Sequence, residues 1–157
     1  MGSSNVDVYE LMHEALRGSD WRALVQLPGP GSPPRTVTLL TARFHHRLLV
    51  VDRSTDPPTY AVLCGLGRGD DRSVTTLRES FPDIRRVGVR GVPRQTTATS
   101  CGAVCVYYCE VVRRWTEGIP DRWPVEQGPQ RQSPRRPTAR SSRIEQIQAE
   151  LLRRRQG

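Results

Sequence analysis

The segment RQTTATSCGAVCVYYCEVVRRW, Arg94 to Trp115, constrains this chain more than any other. Cys101, Cys105 and Cys109 recur at every fourth position, the spacing of one face of an α-helix. A Ser-Cys-Gly step stands at its start, and the cysteine face is otherwise Val104 and Tyr108. The cysteine spacing does not suit zinc, which prefers short Cys-x2–4-Cys knuckles backed by a second pair. Only His45 and His46 could complete a site, so no metal is expected. The chain has no Cys-x-x-Cys step either, which removes thioredoxin-like chemistry. Cys105 and Cys109, one and two turns inside the helix, read as core.

Cys101 differs because it opens the helix. The first turn leaves backbone N–H groups without intrahelical partners and carries the positive end of the helix dipole. A thiol there is placed as a nucleophile, with a backbone N–H nearby to hold an oxyanion. Gly102 lets another segment approach closely. A base is needed, and the chain has three histidines: His13, His45 and His46. His13 falls on the more polar side of the first helix, whereas His45 and His46 precede the apolar run RLLVVD. Gln95, six residues before Cys101, offers a side-chain amide to the same oxyanion. Histidine at a strand start, then glutamine, then cysteine on a helix tip is the order of a cysteine hydrolase.

The rest of the chain supplies the frame. A first helix is predicted after Ser4, with Asp7 in its first turn, Val8, Leu11, Met12, Ala15 and Leu16 as its apolar stripe, and Gly18 as its end. LPGPGSPPR is a loop. Thr36–Ala42, Arg47–Asp52 and Thr59–Gly65 read as strands, being short and rich in β-branched residues. Ser73–Phe81 is a helix candidate, and IRRVGVRG alternates as a half-buried strand. From Pro120 the composition turns to proline, arginine and glutamine, the mark of an irregular linker. A last helix is predicted from Ser142, where Ser142 and Glu145 form a capping box. Ile144, Ile147, Leu151 and Leu152 are its stripe, and Arg153, Arg154 and Arg155 suit its negative end. The fold class expected is α+β, a small mixed sheet packed by helices. The divisions are a domain over 1–118, a Pro/Arg-rich linker over 119–141 and a basic helix over 142–157 that can pack on the domain.

Among the 157 residues, 24 Lys and Arg face 16 Asp and Glu, a net charge of +8. Arginine dominates and grips phosphate bidentately, so a polyanion such as DNA is the expected partner. Arg135, Arg136, Arg153, Arg154 and Arg155 are the candidate contacts. No apolar run is long enough to span a membrane and no signal-peptide pattern opens the chain. The expectation is a soluble, non-secreted chain whose four cysteines are free thiols.

Taken together, HHRLLVVDRSTDPPTYAVLCGLGRGDD and SCGAVCVYYCEVVRRW resemble the adenovirus-type cysteine protease family (adenain) and, more distantly, the SUMO-deconjugating Ulp-like proteases. The resemblance implies His45 as the base, Cys101 as the nucleophile and Gln95 as the oxyanion donor. It sets His46 where the family has tryptophan. It also sets Cys64 where the family has the histidine's carboxylate partner, with Asp56 and Asp70 in nearby loops as substitutes. It further implies cleavage of viral capsid and core precursors, association with DNA as a partner and activator, and action as a monomer in the host nucleus and virion. The family's disulfide-linked peptide activator is not expected, since no cysteine stands between Phe81 and Gln95. Two rival functions share these residues: a deconjugase for ubiquitin-like modifiers, and a catalytically degraded DNA-binding protein.

Overall fold

The computed structural model describes residues 5–42, 45–64, 72–94, 101–125 and 139–156. The described residues form five strands and four helices, in the order α1 (Asn5–Leu16), β1 (Arg22–Leu24), β2 (Arg35–Ala42), β3 (His45–Asp52), β4 (Thr59–Leu63), α2 (Arg72–Ser80), β5 (Arg85–Arg86), α3 (Cys101–Val112) and α4 (Ala139–Gln156). The strands form one sheet in the order β1-β2-β3-β4-β5. The three central strands run as an antiparallel meander, and the short edge strands lie parallel to their neighbours. The sheet is mixed and the fold is α+β.

β3 is the axis. Its run Leu48–Val51 is buried on both faces, which is why it reads as continuous apolar sequence rather than as an alternation. Leu48 and Val50 pack with α1, α3 and α4; Leu49 and Val51 pack with Val74 and Leu77 of α2. α3 is buried along its length except at Glu110, as its all-round apolar sequence requires. Asp52 ends β3 fully buried. Its carboxylate accepts from the backbone N–H of Ser54 at 2.9 Å and faces the Arg35 guanidinium at 3.4 Å.

The structure corrects several expectations. IRRVGVRG is not one strand: after Arg85–Arg86 the chain leaves the sheet and pairs with 121–123, Arg90 donating to Asp121 O at 2.9 Å and accepting from Trp123 N at 2.7 Å. The first part of the expected linker is therefore structured. Trp123 is buried edge-on against Tyr108 and Trp115, with ring centroids 5.3 and 5.8 Å away. α4 begins at Ala139, so Ser142 lies within the helix and is not its cap. Ile147 and Leu151 are buried against α1 and α3, whereas Leu152 faces outward, 45% exposed. β1 was not predicted. No helix among the described residues is long and apolar enough to cross a membrane.

Candidate active site

The site forms at the end of the sheet where β3 begins. β3 starts at His45, β4 ends at Leu63, and Leu48 pairs with Leu63. Continuing that register sets Cys64 opposite Arg47, diagonal to His45, where side chains two positions out of register still reach each other. His45 Nε2 lies 3.0 Å from Cys64 Sγ. The other ring nitrogen, Nδ1, lies 3.5 Å from Cys101 Sγ. One imidazole thus spans two thiols, and each ring nitrogen has a sulfur partner.

Cys101 is the first residue of α3 and is 5% exposed. Its surroundings are nonetheless polar. The backbone N–H of His46 donates to its sulfur at 3.4 Å, and the amino end of a twelve-residue helix lies beside it. Negative charge on this sulfur therefore meets a helix pole and a directed N–H donor. Gly102 fixes how closely α1 approaches. A Cβ built there would stand 2.9 Å from Val8 Cγ2 and 3.8 Å from Leu151 Cδ1, the first of which no ordinary contact allows. Glycine at this position lets α1 and α4 close over the first turn of α3.

The two histidines are held differently. His46 Nε2 lies 3.0 Å from Asn5 Oδ1 at the start of α1, so Nε2 carries the proton that the amide oxygen accepts. Its Nδ1 is buried with no hydrogen-bond partner among the described residues. Burial first, and the neighbouring His45 second, hold the His46 imidazole below the ordinary histidine range. His13 lies exposed on α1.

The other cysteines separate cleanly. Cys105 and Cys109 are buried, and loss of water pushes both thiols well above their usual values, with neighbouring sulfurs adding to the shift at Cys105 and Glu110 at Cys109. They are core thiols. Cys64 is half-buried, and all four cysteines are free. No group of three or more metal-ligating side chains among the described residues could hold an ion.

Of the expected site residues, the structure brings together Cys101, His45 and Cys64. Asp56 is excluded as a substitute acid. It is exposed in the 53–58 turn at the far end of β3, roughly 20 Å from His45 by strand rise. Gln95, Asp70, Arg135 and Arg136 lie outside the described residues. Arg153 is bonded to Glu150 at 3.1 Å, and Arg154 is shared among Glu10, Glu14 and Glu150 at 2.7, 3.2 and 3.1 Å. The charge of Arg154 is thus spent joining α4 to α1. Sequence reasoning missed Asn5 and the His46 backbone N–H.

No protein-family model matches this sequence, and no curated protein matches it. Among solved structures, a crystal structure of a de-sumoylating protease aligns with a TM-score of 0.54 at 10% identity, over 70% of this chain and 61% of that one. The present chain thus spans about three fifths of that protein's length. The Ulp1-like SUMO protease catalytic domain of Chaetomium thermophilum gives 0.39 at 17% identity, over 51% of this chain and 35% of that one, too slight to bear on the fold. The five-stranded mixed sheet and four helices of the described residues share the fold of that de-sumoylating protease.

Proposed function

We propose that this protein is a cysteine-type peptidase in which Cys101 is the nucleophile and His45 its proton carrier. The single observation behind this reading is the contact of His45 Nδ1 with a sulfur at a helix amino end, 3.5 Å away. Cys101 gives its proton to His45 Nδ1 and its sulfur attacks a scissile carbonyl carbon. The negative oxygen is met by the Cys101 backbone N–H and, as the family resemblance implies, by Gln95. His45 then gives its proton to the leaving nitrogen, the carbon–nitrogen bond breaks and a thioester remains. Water, deprotonated by the same ring, hydrolyses the thioester and frees the thiol. Cys64 takes the third position. Its sulfur keeps Nε2 occupied, so the ring stays edge-on to Cys101.

For substrate, the resemblance to adenain favours an endopeptidase that trims viral capsid and core precursors. It would act as a monomer in the host nucleus and virion, with DNA as partner and activator and no small-molecule cofactor. The likeness to a de-sumoylating protease supports a second reading, a deconjugase for ubiquitin-like modifiers. A capsid-precursor peptide and a ubiquitin-like protein with a diglycine carboxyl end, each carrying a fluorogenic leaving group, separate the two. Turnover of either that vanishes in Cys101→Ala and His45→Ala supports the peptidase, and the substrate turned over names the branch. Wild-type turnover no greater than that of Cys101→Ala on both would support the degraded DNA-binding protein instead.

A further inference from the structure

The third position of the site is itself chemically reactive, which a carboxylate would not be. We propose that Cys64 is a reversible S-thiolation site, modified by exchange with low-molecular-weight disulfides, and that its modification switches the hydrolase off. The inference rests on the reading of His45 as a proton acceptor.

Three observations carry it. Cys64 Sγ is nearer the imidazole than Cys101 Sγ, at 3.0 Å against 3.5 Å. Cys64 is half-buried, whereas Cys101, Cys105 and Cys109 are all buried. It also lies one residue past the last ladder pair of β4. A thiol with a base at hydrogen-bond distance and a path to solvent is the one most readily consumed by exchange.

The step balances without an external oxidant beyond the disulfide. Cys64 gives its proton to His45 Nε2, and the sulfur attacks one sulfur of the incoming disulfide. That sulfur–sulfur bond breaks as the Cys64 mixed disulfide forms. The departing thiolate recovers the proton from His45. The bulky adduct then occupies the space against Nε2, so the ring loses its second partner and its alignment with Cys101. A reducing thiol reverses the exchange by the same route.

The test uses the full chain with Cys101→Ser, treated with oxidised glutathione at neutral pH, with adducts located by peptide mass mapping over time. One adduct is expected, on Cys64, removed by dithiothreitol and formed at least about tenfold more slowly when His45→Gln is added. In wild-type protein, turnover should fall in step with occupancy of Cys64 and return on reduction. No adduct on Cys64, a rate indifferent to His45→Gln in a chain with unchanged circular dichroism, or full turnover with Cys64 occupied would each overturn the proposal. Because the adduct is read without Cys101, a negative result leaves the nucleophile's assignment standing. Cleavage that fails while Cys64 still reacts would sink the peptidase alone.

Discussion

At the scale of single residues, the site is a histidine between two sulfurs, and its third member is a thiol where the proteases it resembles carry a carboxylate. A thiol is a weak acceptor and does not fix which ring nitrogen carries the proton, whereas a carboxylate on Nε2 does. In serine proteases the wrong tautomer costs about 10⁴-fold, although a thiolate–imidazolium pair depends on it less. Cys64→Asp should therefore raise kcat/KM by about ten- to a hundredfold, measured on whichever substrate wild type cleaves; an unchanged or lower value would remove Cys64 from the acid position. His46 gives the pH prediction. Its folded form favours the neutral ring, so the unfolded chain binds the proton more readily. Stability is complete above the ordinary histidine value and falls as pH drops below about 6.5. Thermal melts should show a lower Tm at pH 5 than at pH 8, and His46→Gln should shrink that difference. An undiminished difference would place the pH dependence elsewhere.

At the scale of elements, α4 is part of the core and not an appendage. Ile147 and Leu151 are buried, Leu151 Cδ1 approaches Gly102, and Arg154 and Arg143 bind carboxylates of α1, α4 and α3. Exposed ion pairs of this kind contribute about 0–1 kcal/mol each, so packing holds the helix. Leu151→Ala should cost about 2–5 kcal/mol, read by urea denaturation, and should lower kcat because the cavity opens beside the first turn of α3. A cost below about 0.5 kcal/mol would show that the helix is only tethered. The elements legible in sequence were those with a strong local pattern: RLLVVD as a short apolar strand, the helix with cysteine at every fourth position, and the stripes of α1 and α4. What escaped was short or externally determined. β1 and β5 have three and two residues, too few to carry a period. IRRVGVRG alternates as a strand, but its later half hydrogen-bonds to 121–123, a partner no local pattern announces. The capping box at Ser142 was misplaced because the helix starts three residues earlier in sequence with no stronger stop signal. The site was legible as far as residue types at strand and helix ends allow. The meeting of His45 with both Cys64 and Cys101 depends on strand register, and the pairing of His46 with Asn5 on helix packing.

At the scale of the whole molecule, the net charge of +8 supports a polyanionic partner, but Arg153 and Arg154 are already engaged with the protein's own glutamates. If DNA binding holds, log Kd against log salt should have a slope near 0.9 per phosphate contacted, and Arg154→Gln should change it little. An affinity equal at low and physiological salt would remove the DNA association. The account as a whole stands on Cys101 and His45 acting as one unit, and an activated acyl donor tests that without knowledge of the substrate. Mixing the protein with p-nitrophenyl acetate and quenching in acid should show a burst of nitrophenolate matched by an acetyl thioester mapped to Cys101. The burst should be absent in Cys101→Ala and slowed by about a hundredfold in His45→Ala. A wild-type trace identical to that of Cys101→Ala, with no acyl group on residue 101, would contradict the account.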